Sequence, residues 1–318
     1  MTSPVTGGAA GAAPRPALGI ALIVVAASCF ATMDTTLRYM GAYMSVVVLL
    51  FARYALHTAV MTVWLLARGG KTFRTANPSF QVLRGLLLLT SSALAFTALR
   101  HMPVAEFTAI VMLTPVLVTL VSAWLLHERV NTLRWGLVFG GFAGALIIIR
   151  PGSGLFGWAV LLPLTAAVSN AAFQVLTGKL GPHESPHTTN FYTGLTGVTV
   201  MAPILWWSAD DIVPTLAAAP PLQLALIVAI GLLGTAGHLL LIMALGVART
   251  ATLMPFLYTQ IAVAALMGWI VFQAAPDFWG WVGMAVIAVC GAAAAWLNVR
   301  EAARSREVSA VEADTIAD

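Results

Sequence analysis

Long apolar runs, separated by short polar breaks, dominate the chain between residues 17 and 298. The hydrocarbon core of a bilayer is about 30 Å thick, and a helix needs roughly 20 apolar residues to cross it. Because backbone polar groups in lipid must be satisfied within the segment, such runs are expected to be helices. The pattern predicts an all-α membrane protein with ten transmembrane helices, here called spans 1 to 10, at residues 17–37, 44–67, 80–100, 104–126, 133–150, 156–178, 189–208, 222–246, 249–273 and 278–298.

Composition excludes a soluble domain. Hydrophobic residues make up 60% of the chain and charged residues only 9%, and the mean hydropathy is +0.91. Soluble domains carry about 25% charged residues. The net charge of +4 is small, and no nucleic-acid partner is expected. Cys29 and Cys290 both lie within predicted spans, so a disulfide framework is not expected.

The positions of Lys and Arg predict the orientation of the bundle. With the N-terminus in the cytoplasm, twelve of these residues fall inside and three, Arg38, Arg100 and Arg150, fall outside. Cytoplasmic loops carry an excess of positive charge, so both termini are expected to be cytoplasmic, in a multi-pass protein of the inner (plasma) membrane. Residues 1–16 are expected to form a disordered cytoplasmic tail, and residues 299–318 a cytoplasmic C-terminal tail.

The two halves of the chain have similar residues at corresponding positions. Ala26-Ala27 aligns with Ala166-Ala167, and this alignment places Asp34 on Gln174 and Arg53 on Thr193. Each half, 17–150 and 151–298, holds five predicted spans, and an odd number makes the second half enter the membrane from the opposite face. The sequence therefore predicts two five-helix inverted-topology repeats, the construction that many transporters use for alternating access.

Several motifs resemble a known family. Residues 84–130 read RGLLLLTSSALAFTALRHMPVAEFTAIVMLTPVLVTLVSAWLLHERV, with Ala-Leu closing span 3, a Pro in span 4 and Glu-Arg after it. Residues 134–154 read RWGLVFGGFAGALIIIRPGSG and include most of the Gly-rich span 5, and residues 254–277 begin Met-Pro-Phe-Leu-Tyr-Thr. This pattern resembles the EamA-type family of the drug/metabolite transporter superfamily, although the second half lacks the Glu-Arg pair. The resemblance implies ten helices around a central cavity, with spans 3, 4, 8 and 9 near the middle, and transport of amino acids, nucleotide-like compounds or vitamins.

Arg53 and Asp34 are the charged candidates for the site. Arg53 lies near the middle of span 2, where a charge costs about 2.5–3.5 kcal/mol on insertion scales, so it is expected to face protein or water. Asp34 lies near the outer end of span 1 at a similar depth. One interpretation is a substrate-carboxylate or phosphate anchor at Arg53 with Asp34 as a titratable coupling group. The other is a structural ion pair between spans 1 and 2.

Other polar or helix-breaking positions are candidates for the cavity and its gates. Pro115 and Pro255 each free a backbone carbonyl inside a predicted span, as broken helices at transporter sites do. Glu128-Arg129, after span 4, is a possible gate salt bridge or a fixed loop brace. The polar candidates for substrate binding are Thr114, Asn170, His238, Tyr258 and Gln260.

The predicted function is transport. No catalytic motif, metal-ligand pattern or phosphate-binding glycine loop with Lys is present in the sequence, so no enzyme activity and no cofactor or metal is expected. We expect a secondary active or facilitative transporter that moves a small polar metabolite, with export favoured over import. An intramembrane transferase-type enzyme and a non-transporting membrane sensor are the alternatives.

The Gly136, Gly140 and Gly144 row suggests a packing surface within the subunit or in a homodimer.

Overall fold

The computed structural model describes residues 16–68, 73–114, 116–117, 132–150, 157–180, 185–208, 213–214, 216–247 and 256–317. Within these ranges the chain forms ten α-helices, one 3₁₀ turn at Gly157–Val160 and no strand. The helices are α1 Pro16–Met40, α2 Val46–Ala67, α3 Pro78–Ala98, α4 Val104–Val111, α5 Thr132–Ile149, α6 Leu161–Leu180, α7 Pro186–Trp207, α8 Pro221–Val247, α9 Thr259–Phe272 and α10 Phe278–Ala317.

The all-α prediction is confirmed, and each helix overlaps the predicted span of the same number. Among the described residues, five stretches, at Ala17–Met40, Val46–Ala67, Pro78–Ala98, Gly157–Thr177 and Pro221–Leu241, are long and apolar enough to cross a bilayer. The number of ten crossings and the orientation of the termini stay predictions.

α10 departs from the predicted boundaries, because it continues to Ala317 whereas span 10 was predicted to end at residue 298. The apolar run stops there, but the Ala-, Glu- and Arg-rich segment that follows has high intrinsic helix propensity. The end of the hydrophobic stretch and the end of the helix are therefore different positions.

The pairs of helices in contact stay the same when each helix is replaced by its equivalent from the other half. α1 packs on α8, and the equivalent pair, α6 and α3, also packs together. α2 and α8 are in contact, as are their equivalents α7 and α3. α2 packs on α7, α4 on α9 and α5 on α10, and each of these pairs joins two equivalent helices. The packing is therefore what a pair of related five-helix units would produce.

Glycines permit the closest helix approaches. A Cβ on Gly140 would lie 2.6 Å from the Sγ of Cys290, and one on Gly144 would lie 2.9 Å from the Gly283 carbonyl oxygen, so this row of α5 packs against α10. Gly136, predicted to share that surface, has nothing within 4 Å of such a Cβ. Between α2 and α7, a Cβ on Gly197 would overlap the ring of Tyr54.

We expect Gly197→Ala to lower the apparent melting temperature of the purified protein, because overpacking a close contact costs about 1–3 kcal/mol. Gly136→Ala is the matched control. It adds the same methyl group in open space, and alanine raises helix propensity by up to about 1 kcal/mol, so stability should stay equal or rise. Equal melting temperatures for the two variants in detergent would contradict the assigned α2–α7 contact.

Candidate functional site

Arg53 stands at the centre of a buried polar group. Its Nη1 donates to the Oγ of Ser92 on α3 at 2.8 Å, and the hydroxyl of Tyr54 donates to the same oxygen at 3.0 Å. The guanidinium carbon lies 5.4 Å from the centre of the Tyr54 ring and 5.5 Å from that of Phe96. Only 5% of Arg53 is exposed. As expected for a charge inside a span, protein groups surround it rather than lipid.

One nitrogen of the Arg53 guanidinium has no hydrogen-bond partner among the described residues. This nitrogen, Nε, is buried. α8 passes it at Gly234, where an added Cβ would lie 3.2 Å from Nε and 3.1 Å from the Sδ of Met33. Because Gly234 has no side chain, α8 can come close to both α1 and α2 without displacing Arg53. The site therefore combines helices of both halves.

Asp34 faces the same region from α1. It is 7% exposed, and neither an ion pair nor a hydrogen bond joins its carboxylate to Arg53. The charge of Arg53 nevertheless acts on Asp34. In this conformation the two residues are neighbours without forming the ion pair that one interpretation of the sequence described.

Two histidines extend this group along α2 and α8. His57 lies one turn after Arg53, is 2% exposed, and its Nε2 lacks a partner in the part of the chain that the structure describes. Its ring centre is 6.3 Å from that of His238. His238 in turn packs edge-on against Phe30, with 5.0 Å between ring centres. We call Asp34, Arg53, His57, Ser92 and His238 the Arg53 cluster.

The remaining predicted site residues lie elsewhere or make local contacts. Thr114 donates to the carbonyl of Val111 at 2.7 Å. Asn170 accepts a hydrogen bond from Gln174 at 3.4 Å. Tyr258 is packed in an apolar group with Ile261 and Met284, and its buried hydroxyl has no partner among the described residues.

Gln260 is buried. Pro115, Pro255, Glu128 and Arg129 lie outside the described residues. Within the described ranges, no group of three or more His, Cys, Asp or Glu residues is arranged to hold a metal ion.

Arg84 is a buried charge whose role the sequence analysis missed, because it was counted with the cytoplasmic positive charges. It is 3% exposed and lies in the second turn of α3. Its Nη1 donates to Thr177 at 3.1 Å, and its Nη2 donates to the Thr189 carbonyl and to the Thr193 hydroxyl. Phe173 stacks beneath it, with the guanidinium carbon 4.9 Å from the ring centre. Arg84 thus joins α3 of the first half to α6 and α7 of the second.

A second group of charges lies at the end of the bundle that carries Arg150, here called the Arg150 end. Arg150 forms a 2.7 Å ion pair with Asp277, which lies between α9 and α10. The N–H of Gly280 donates to Asp277 at 2.8 Å. This bond, together with the Arg150 charge, lowers the pKa of Asp277 below its usual value. Glu106 on α4, which the sequence analysis did not select, is also buried here.

A family comparison accounts for nearly the whole chain. The model of the EamA-like transporter family matches residues 17–150 and again residues 157–296. The two matches cover the first and second sets of five helices. A solved crystal structure with 21% sequence identity covers 90% of this chain and 97% of its own, with a TM-score of 0.59, which supports the same fold.

Curated relatives are named as transporters of metabolites. A riboflavin transporter of Brucella anthropi is 29% identical over 83% of this chain and 94% of its own length. An S-adenosylmethionine uptake transporter of Rickettsia bellii is 24% identical over 82% and 87%. A pseudopaline exporter of Pseudomonas aeruginosa is 25% identical over 81% and 89%.

We expect Arg84→Ala to lower the free energy of unfolding by about 1.5–3 kcal/mol, because the substitution removes charge-assisted hydrogen bonds that join the two halves. The measurement is the thermal or denaturant unfolding of purified protein in detergent. Arg100→Ala, at an exposed arginine, is the control and should leave stability unchanged. An Arg84→Ala protein as stable as this control would exclude the bracing role.

Proposed function

Because the chain belongs to the EamA-like transporter family, we propose that it carries a small, ring-containing polar metabolite across the membrane and holds it at the Arg53 cluster. The family and the named relatives are transporters rather than enzymes, and the apolar helices make the chain a multi-pass membrane protein. The observation that carries the proposal is a buried Arg53 whose Nε has no partner among the described residues, facing a cluster built from both halves.

The chemistry of the cluster suits a planar solute with hydrogen-bond acceptors at its edge. Arg53 offers a guanidinium donor, and His57 offers a ring nitrogen without a partner in the described structure. Phe30 and Phe96 supply apolar faces beside these polar groups. Ligand sites typically combine such apolar surfaces with a few placed polar groups. A vitamin or nucleoside-like compound with carbonyl or carboxylate oxygens meets both requirements.

The names of the relatives support this solute class. Riboflavin is a vitamin with a planar ring system and ring carbonyls, and S-adenosylmethionine is nucleoside-like and carries a carboxylate. Both are therefore the first solutes to test. The intramembrane enzyme and the sensor are the weaker alternatives, since the named relatives are transporters.

The proposed mechanism is alternating access by relative movement of the two halves. α1, α2 and α3 contribute Asp34, Arg53 and Ser92, whereas α8 of the second half contributes His238. A movement between the halves would therefore change the surroundings of a solute bound at Arg53. We place the protein in the inner membrane with both termini in the cytoplasm and the Arg150 end at the exterior, as the distribution of Lys and Arg supports.

The proposed direction is export, as the sequence analysis favoured. The pseudopaline exporter supports that direction, and the S-adenosylmethionine uptake transporter supports the opposite one. Metabolite profiling of cells and medium, with and without expression, decides between them. Depletion of a solute from the medium on expression would replace export by uptake.

We expect purified protein in liposomes to catalyse counterflow of labelled riboflavin or S-adenosylmethionine, and we expect Arg53→Gln to lower the rate at least tenfold. A charge-assisted hydrogen bond is worth about 1.5–3 kcal/mol, which corresponds to tenfold or more. Arg53→Lys keeps the charge but loses the planar fork, so it should restore the rate only in part. Arg74→Gln, which removes an exposed arginine outside the Arg53 cluster, is the charge-matched control.

Two outcomes would contradict this assignment. Counterflow by Arg53→Gln at the rate of the unchanged protein would remove Arg53 from the site. No counterflow of either solute, combined with no solute difference in the metabolite profiles, would count against the transport function itself.

Asp34 is proposed as the titratable coupling group. We expect Asp34→Asn to keep solute exchange under counterflow but to lose accumulation driven by a pH gradient, because the amide cannot exchange a proton at this position. Thr35→Ser, a conservative change at the next residue of α1, is the control. Equal pH-driven accumulation in Asp34→Asn and the unchanged protein would assign coupling to another group.

A further inference from the structure

We propose that Arg38, Glu106, Arg150, Asp277 and Phe272 form a transport gate at the Arg150 end, held closed in this structure by contacts between the two halves. We call these five residues the Arg150-end gate. The inference rests on the proposed transport function, since a gate has a role only in a protein that passes solute. It is distinct from the predicted Glu128-Arg129 gate, which belongs to the opposite end of span 4.

The Arg150–Asp277 ion pair joins the halves through rigid elements. Arg150 follows the last turn of α5, where its N–H donates to the Leu146 carbonyl at 2.8 Å and its φ is 48°. Asp277 precedes α10 and accepts from the backbone N–H of Gly280. Both backbones are thus tied to helix ends, and the 2.7 Å ion pair spans the junction. Movement of α5 away from the α9–α10 connection must therefore break it.

A second contact between the halves lies beside the ion pair. Arg38, in the last turn of α1, donates through Nη1 to the carbonyl of Met102. Its guanidinium carbon also lies 4.8 Å from the centre of the Phe272 ring at the end of α9. The hydrogen bond stays within the first half, whereas the cation–π contact reaches the second. Arg38 therefore closes the space between α1 and α9 while its own half fixes its position.

Glu106 connects these two contacts electrostatically. It is 9% exposed, and its Oε2 has no hydrogen-bond partner among the described residues. α4, which carries Glu106, contacts α1, α5 and α10. A Cβ on Gly280 would lie 3.7 Å from Oε1, so Glu106 also faces the first turn of α10. Two arginines and two carboxylates therefore meet where α1, α4, α5 and α10 come together.

A partly open depression borders the Arg38–Phe272 contact. Its volume is about 320 Å³, and its lining includes Tyr39, Tyr43, Leu99 and Arg100 together with Arg38 and Phe272. The Arg38–Phe272 contact is thus part of the wall of a space large enough for part of a ring-containing solute.

The strength of the ion pair suits a contact that breaks in every cycle. The Arg150 and Asp277 side chains are 32% and 49% exposed. A partly exposed ion pair contributes up to about 1 kcal/mol to the stability of the state in which it forms. Losing it therefore shifts the equilibrium between the closed and open states by up to about fivefold. When the open state is a minor population, weakening the closed state by that factor raises the open population by the same factor.

The experiment measures opening without relying on solute. Ser92→Cys, beside Arg53, is introduced with Cys29→Ser and Cys290→Ser, and a membrane-impermeant methanethiosulfonate is applied from each side of oriented vesicles. We expect slow labelling from the Arg150 side, and about two- to fivefold faster labelling when Arg150→Gln or Asp277→Asn is added. Asn at position 277 keeps an oxygen for the Gly280 N–H, so the start of α10 remains capped.

A double-mutant cycle tests whether Arg150 and Asp277 act through their mutual contact or independently of each other. If the two residues act as one contact, the double variant should label no faster than either single variant, because interacting sites are not additive. Arg74→Gln, at an exposed arginine outside the cavity lining, should leave the labelling rate unchanged. Unchanged labelling in the single variants, or fully additive effects in the double variant, would overturn the gate.

Riboflavin counterflow, measured on the same variants, separates this inference from the proposed function. Faster labelling without counterflow in any protein would support the gate and contradict the solute assignment. Counterflow in the unchanged protein, with labelling insensitive to Arg150→Gln and Asp277→Asn, would support transport and overturn the gate.

Discussion

A charged side chain inside a bilayer must find its partners within the protein, and the described structure depends on this constraint. Arg53 and Arg84 are both nearly completely buried, and each is satisfied differently. Arg84 donates to one carbonyl and two threonine hydroxyls of the opposite half, although its Nε, like that of Arg53, has no partner among the described residues. Among the described residues, Arg53 donates a hydrogen bond to one side chain, that of Ser92. Arg84 therefore joins the two halves, whereas Arg53, with fewer hydrogen bonds to protein, is the arginine that we propose binds solute.

The different contacts of Arg53 and Arg84 correspond to a sequence difference between the two repeats. The sequence alignment places Arg53 on Thr193, and Thr193 accepts a hydrogen bond from Arg84. The position of Arg53, the charge proposed to bind solute, thus carries in the second half a neutral threonine that accepts a hydrogen bond from Arg84. Two related five-helix units therefore place one charge in the site and the other in the junction between them.

The fold could be predicted further from sequence than the site. Hydropathy alone located the helices, since lipid leaves a span few alternatives to helix. Arg53 was identifiable because a charge inside a span is costly in lipid. His57 could have been found from its spacing of one helical turn from Arg53. The approach of His238 to His57 was not predictable, because it depends on how α2 and α8 pack. Arg84 and Glu106 were missed because a charge near the start of a span looks like an interfacial residue until its partners are known.

The length of α10 has a mechanical consequence. Its 40 residues, at about 1.5 Å each, make a rod of about 60 Å, roughly twice the hydrocarbon thickness. One end of this rod begins at the Asp277 ion pair, and the other projects beyond the apolar region. If the helix moves as a rigid lever, a tilt of about 5° at the first end displaces the far end by about 5 Å. Small rearrangements at the Arg150 end would then be amplified at the far end of α10.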